Sequence, residues 1–205
     1  MTPRRKFIYN GDMNKTILIL KNYAEGKIST QEFWELYQSN PKIADLLIKD
    51  KTINFETYFS PTIIETHFNP EDVFERYGLY EYVKAYFIRH KIKCEFFNED
   101  EKYIILINKI QPKYVDIKDP KFWNGILDKC PSFPTKKEKI AYLKKYVQEL
   151  FKYDTFTPKW IQPPEWPIEN NKPLMFVKQE EIEDGFKYTF FNEETKNIKI
   201  VEQFY

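Results

Sequence analysis

The chain has 205 residues and a mass of 25.0 kDa, enough for one large domain or two small lobes, and 42% of its residues are hydrophobic and 31% charged. That composition is globular and excludes disorder, a collagen-like chain or a coiled coil as a description of the whole. With 32 Lys+Arg against 31 Asp+Glu the net charge is +1, so no global basic field draws in nucleic acid or anionic lipid.

Rare residue types exclude more. The five glycines, Gly11, Gly26, Gly78, Gly125 and Gly185, never fall within three positions of one another, so no glycine-rich loop can cradle a phosphate. Cys94, Cys130, His67 and His90 lie far apart, without the close pairs of a structural zinc site. No metal and no cofactor is therefore expected, and both cysteines are expected as free, buried thiols in a reducing compartment. Aromatic residues reach 18%, with 18 Phe, 15 Tyr and 4 Trp. AT-rich codon usage enriches these residues together with Lys, Ile and Asn, and a tyrosine-rich protein contact surface would do so as well.

In chain order, Arg4-Arg5-Lys6 imitates the charged start of a signal peptide. Ile17 to Leu20 then supply four apolar residues, where a secretory segment needs about 7–15. No stretch approaches the ~20 residues needed to span a bilayer. Residues 1–10 are expected to be a flexible leader on a cytoplasmic chain that does not enter membranes. A first helix is predicted over residues 12–25, with Ile17, Leu20 and Ala24 on one face and Gly26 near its end. Ser29-x-x-Glu32 and Thr135-x-x-Glu138 have the form of capping boxes. Asn40-Pro41, Ser60-Pro61, Asn69-Pro70 and Asp119-Pro120 each place a capping residue before a proline whose missing N–H costs nothing in a first helical turn. The i, i+3, i+4, i+7 pattern is clearest over residues 79–90 and 136–151. Lys137, Lys144, Lys145 and Gln148 make the opposite side of the second segment a solvated face.

Lys93–Phe97 and Tyr103–Lys109 are rich in β-formers and flank Asn98-Glu99-Asp100-Glu101-Lys102, which predicts a hairpin with a solvated acidic turn. Residues 174–178, 186–191 and 197–203 form a second β group, in which Phe186, Tyr188 and Phe190 alternate with outward positions and residues 192–196 make a turn. Thr157–Pro167 holds four prolines in 11 residues and can be neither regular helix nor central strand. The fold class is α+β: a helical amino-terminal part packed on antiparallel sheet, completed by a carboxyl-terminal three-stranded meander. Residues 11–205 are expected to form a single domain, with a helical region over 11–91 and an α+β region over 92–205.

Catalytic signals are thin. Glu65 lies two residues before His67, and Glu71 and Asp72 follow a turn later, but no nucleophile elbow or His-x-x-x-His helix accompanies them. His90 closes a predicted helix, where a cation is favoured by the dipole. Lys152-Tyr153 and Phe186-Lys187-Tyr188-Thr189-Phe190 interleave lysine with aromatic rings as single-stranded nucleic-acid binders do. They equally describe half-buried strand, and the neutral net charge argues against nucleic acid as partner. Trp160 and Trp166 stand six apart in the proline-stiffened segment. They can plug the joint between helix 136–151 and the sheet, or Trp160, Gln162, Glu165 and Trp166 can anchor an interface.

The run Trp160-x-Gln162-x-Pro164-Glu165-Trp166-Pro167, followed by Pro173-Leu174-x-Phe176-x-x-Gln179, resembles the end of uncharacterised bacterial proteins of this size that are similar to immunity proteins of polymorphic-toxin and contact-inhibition systems. Those proteins carry an Asn-Gly-Lys-Pro-Leu turn. Here it reads Asn170-Asn171-Lys172, so Asn171 must take the left-handed conformation that asparagine tolerates. The resemblance covers about residues 140–180 and brings no catalytic residues. It implies a non-catalytic protein-binding module whose partner is a protein, in the resembling family a toxin domain. An unfamiliar hydrolase or nuclease and a single-stranded nucleic-acid binder remain the alternatives, and oligomeric state is open.

Overall fold

A computed structural model describes residues 11–48 and 68–205. The leader at 1–10, the Ser60-Pro61 helix start, Glu65 and His67 lie outside the described residues. The chain divides into two compact units, Met1–Ile104 and Ile105–Tyr205. The class is α+β, with helices and two antiparallel sheets.

In the first unit, α1 (Gly11–Ala24), α2 (Thr30–Ser39), α3 (Pro41–Ile48) and α4 (Val73–Arg89) surround one core. Local chemistry sets the helix starts. Ser29 and Glu32 close a reciprocal capping box on α2, with the Glu32 N–H donating to Ser29 Oγ at 3.1 Å and the Ser29 N–H to Glu32 Oε2 at 2.8 Å. Before α3, Asn40 Oδ1 accepts from the Lys42 N–H at 3.2 Å. The core draws Leu20, Tyr23 and Ala24 from α1, Phe33 and Tyr37 from α2, Ile43 and Leu47 from α3, and Leu79, Tyr82, Val83, Tyr86 and Phe87 from α4. Two of its tyrosines reach backbone acceptors, Tyr82 donating to the Leu47 carbonyl at 2.6 Å and Tyr23 to that of Arg76 at 3.3 Å.

Several expectations are corrected here. Asn69-Pro70 does not open a helix: Asn69 caps a turn, and Asp72 is the N-cap of α4, accepting from the Phe74 and Glu75 N–H groups at 2.8 and 3.1 Å. The hairpin over 93–109 is not formed. Lys93–Phe97 belongs to no strand and joins no ladder, although Ile92, Cys94 and Phe96 are half-buried between exposed neighbours. Tyr103–Lys109 lies instead within α5 (Glu101–Ile110), whose buried residues Ile104, Ile107 and Ile110 recur every three positions. A run of β-branched residues hid that helical spacing, and burial of one face outweighed propensity. Nor is Asp100 a solvated turn residue. Its carboxylate receives Arg76 through Nη2 and Nε at 2.7 and 2.8 Å, a two-pronged pair with side chains 22% and 12% exposed. Cys94 and Cys130 are free but half-buried rather than buried.

The second unit holds α6 (Pro120–Leu127), α7 (Lys136–Leu150), a two-stranded ribbon of β1 (Ile168–Glu169) and β2 (Lys172–Pro173), and the meander β3 (Met175–Ile182), β4 (Gly185–Phe191) and β5 (Ile198–Phe204) in the order β3-β4-β5. Asp119 caps α6 ahead of Pro120, and Thr135 with Glu138 forms the capping box of α7. One face of the meander carries Phe176, Tyr188 and Phe190, which are buried together with Phe122, Trp123, Leu143, Val147 and Phe151. The β1–β2 ribbon was not anticipated. Its two-residue turn has Asn170 at φ 50° and Asn171 at φ 60°, the double left-handed geometry that suits the twist of a tight hairpin. Asn171 thus takes the left-handed conformation expected of it.

Candidate functional site

The segment between α7 and β1 contains Trp160, Gln162, Glu165 and Trp166, and the structure shows what each does. Pro158, Pro163, Pro164 and Pro167 have no N–H to leave unpaired, so a segment outside any ladder has few donors to satisfy. Trp166 is 3% exposed. Its indole N–H donates to the Leu174 carbonyl at 2.8 Å, and its ring meets Phe151 at the end of α7 at 5.3 Å and Phe190 of β4 at 5.3 Å. It is the plug between helix and sheet and offers no indole surface to a partner. Trp160 is half-buried, with its ring 4.4 Å from Tyr188 and its N–H on the Tyr114 carbonyl at 2.9 Å. Gln162, Pro163 and Glu165 are exposed.

Two strand glutamines grip the segment that carries the tryptophans, one just before Trp160 and one between Trp160 and Trp166. Gln179 of β3 holds both main-chain groups of Lys159, its Oε1 accepting from the N–H at 2.9 Å and its Nε2 donating to the carbonyl at 3.3 Å. The Tyr188 hydroxyl donates to the same carbonyl at 3.0 Å, and burial pushes that phenol above its ordinary pKa, which keeps it a donor. Gln203 of β5 is 0% exposed. Its Oε1 accepts from the Ile161 and Gln162 N–H groups at 3.2 and 3.1 Å, while its Nε2 donates to the Pro163 carbonyl at 2.9 Å and to Glu165 at 3.4 Å. In return Gln162 Nε2 donates to the Phe204 carbonyl at 2.5 Å. A buried amide that uses both its ends is stable where a half-used one would be costly. Gln203 was not picked out from the sequence. The only available signal was a polar residue at an inward-facing position of a strand.

A cleft of about 250 Å³ in this unit is lined by Lys152, Glu169, Lys172, Asn192, Glu193 and Glu194. It is smaller than the about 300–1,000 Å³ of typical small-molecule sites. Its charges pair off rather than converge. Lys152 meets Glu193 at 2.6 Å, Lys172 meets Glu194, and Asn192 donates to Glu169 at 2.7 Å. Among the described residues, no group of three or more His, Cys, Asp or Glu is arranged to hold a metal ion. His90 is the C-cap of α4, and its ring lies 4.4 Å from that of Tyr86, tilted by 40°. Among the described residues, no helix is long and apolar enough to cross a membrane.

Comparison with known proteins finds no match to this chain among protein-family models, curated proteins or solved structures.

Proposed function

We propose that the chain is a non-catalytic protein-binding module of the immunity type, which binds and neutralises a toxin domain in the bacterial cytoplasm. The observation that supports this reading is the clamped segment 159–166. Both strand glutamines hold its backbone and both indole N–H groups tie its tryptophans to the Tyr114 and Leu174 carbonyls, so Gln162, Pro163 and Glu165 are presented at little further entropic cost. Trp160 and Trp166 serve this surface from beneath, as positioning residues, and Gln162 and Glu165 meet the partner. An interface of about 800 Å² per partner fits on a chain of this size.

The test is co-purification from the native host of the wild type and of a Glu165→Arg variant, which reverses an exposed charge without touching the aromatic core. Wild type is expected to bring a stoichiometric partner that inhibits growth when expressed alone and is silenced by co-expression. Glu165→Arg is expected to lose both the partner and the protection. Recovery of no partner, or of one that is harmless alone, overturns the reading.

A further inference from the structure

In the antiparallel β4–β5 ladder, the Asn192 N–H bonds the Asn197 carbonyl at 2.9 Å and the Tyr205 N–H bonds the Asp184 carbonyl at 3.0 Å. Main-chain groups alternate sides along such a strand. The odd-numbered residues of β5 therefore bond β4, and Ile198, Ile200, Glu202 and Phe204 direct their N–H and C=O groups to the free edge. One of these is already engaged, since Gln162 donates to the Phe204 carbonyl. At the other end the strand leaves the turn whose last residue, Lys196, has φ 62°. Among the described residues the open edge is therefore Ile198–Glu202, with Ile200 at its middle. It has no proline and no bulge, and its outward face shows Ile198 66% and Ile200 46% exposed. An unbulged edge with open main-chain groups and exposed isoleucines is a template for another strand.

We propose that a second copy of this chain occupies that edge, pairing β5 with β5 antiparallel about a two-fold axis at Ile200. The argument is independent of the toxin-binding reading. A two-fold pairing must match residues on the same face, which permits only registers two residues apart. Centring on Lys199 sets two lysines directly opposite, and centring on Glu202 sets two glutamates opposite, both repulsive. Centring on Val201 requires the Phe204 carbonyl that Gln162 already holds. Centring on Ile200 uses only open groups. It places Ile200 against Ile200 of the second copy, Ile198 against Glu202 and Lys199 against Val201, with no like charges opposed. The isoleucines of both copies then form one patch on the outer face, continuous with Phe191, the cross-strand neighbour of Ile198. The two meanders become one six-stranded sheet. Edge pairing alone is small beside a standard interface, so the dimer is expected to be weak and concentration-dependent.

Sedimentation equilibrium over a concentration series tests this, with the mass expected to rise from one chain towards two. Ile200→Pro removes an edge N–H that β4 does not use, so it should leave the monomer's circular dichroism intact and hold the mass at one chain. Ile200→Lys should do the same by placing two lysines opposite, which covers a folding failure of the proline variant. Register is read by oxidative cross-linking in a Cys94→Ser, Cys130→Ser background. The Ile200→Cys variant should cross-link at least ten times faster than Ile198→Cys, because only position 200 faces its own copy, at about 5.5 Å between Cα atoms. A wild type of one-chain mass throughout, a dimer that persists in both Ile200 variants, or equal cross-linking at the two positions overturns the proposal.

Discussion

Replacing Gln203 with leucine tests whether the clamp on the proline-rich segment is what holds it. The substitution keeps volume and burial but deletes four hydrogen bonds, to the Ile161 and Gln162 N–H groups, the Pro163 carbonyl and Glu165. The Glu165 bond is long and reaches an exposed carboxylate, so it contributes little. The other three contribute about 0.5–1.5 kcal/mol each, and the freed backbone groups can partly recover by meeting water. The expected loss is about 2–4 kcal/mol, read as a fall in urea midpoint at unchanged slope. Amide exchange at Ile161 and Gln162 should accelerate before global unfolding. A loss below about 1 kcal/mol, or unchanged protection of both amides, would refute the reasoning. Gln203→Glu adds a sign test. The new carboxylate can accept from the two amides but cannot donate to Pro163 while ionised, and it faces Glu165, so its pKa rises in the folded state. The folded protein then binds more protons than the unfolded one, and this variant should gain stability as pH falls through that raised pKa and lose it as pH rises.

Gly185 tolerates no side chain, because a Cβ there would lie 1.9 Å from the Gln203 carbonyl oxygen, so Gly185→Ala should cost upwards of about 2 kcal/mol in chemical denaturation. Asp100→Asn leaves a half-buried Arg76 guanidinium without its carboxylate and should cost about 1–3 kcal/mol. A double-mutant cycle with Arg76→Gln should return a coupling well above the ~0.5 kcal/mol of an exposed pair, and a near-zero coupling would count against the pairing. Burial pushes the Cys94 thiol up to about 11 and the Tyr80 phenol up to about 12. Because each keeps its proton in the fold at a pH where the unfolded chain has released it, their stability is present below the ordinary pKa of each and is lost as pH rises from about 9 through 12. Iodoacetamide labelling of Cys94 in the native protein at pH 8 should be much slower than in urea, and equal rates would contradict the shift.

What the sequence determined by itself is what short-range chemistry encodes. The capping boxes at Ser29 and Thr135, the Asn40 and Asp119 starts and the β4–β5 turn each depend on residues within five positions of one another, and each is found where its pattern stands. The double-asparagine turn belongs with them, since asparagine tolerates left-handed geometry wherever it is placed. The sequence of α5 reads as strand because Ile104, Ile105 and Ile107 favour strand locally, and only burial of one face decides for helix. The candidate site was legible as a rigid segment but not in its workings. Trp160 and Trp166 could have pointed either way, and their direction depends on Tyr188 and Phe190 arriving from β4 and on Leu174 between β2 and β3. Gln203 reaches its partners across 38–42 residues of chain. No local pattern marks such a residue, because a buried amide is favourable only when the tertiary structure brings donors and acceptors to both of its ends.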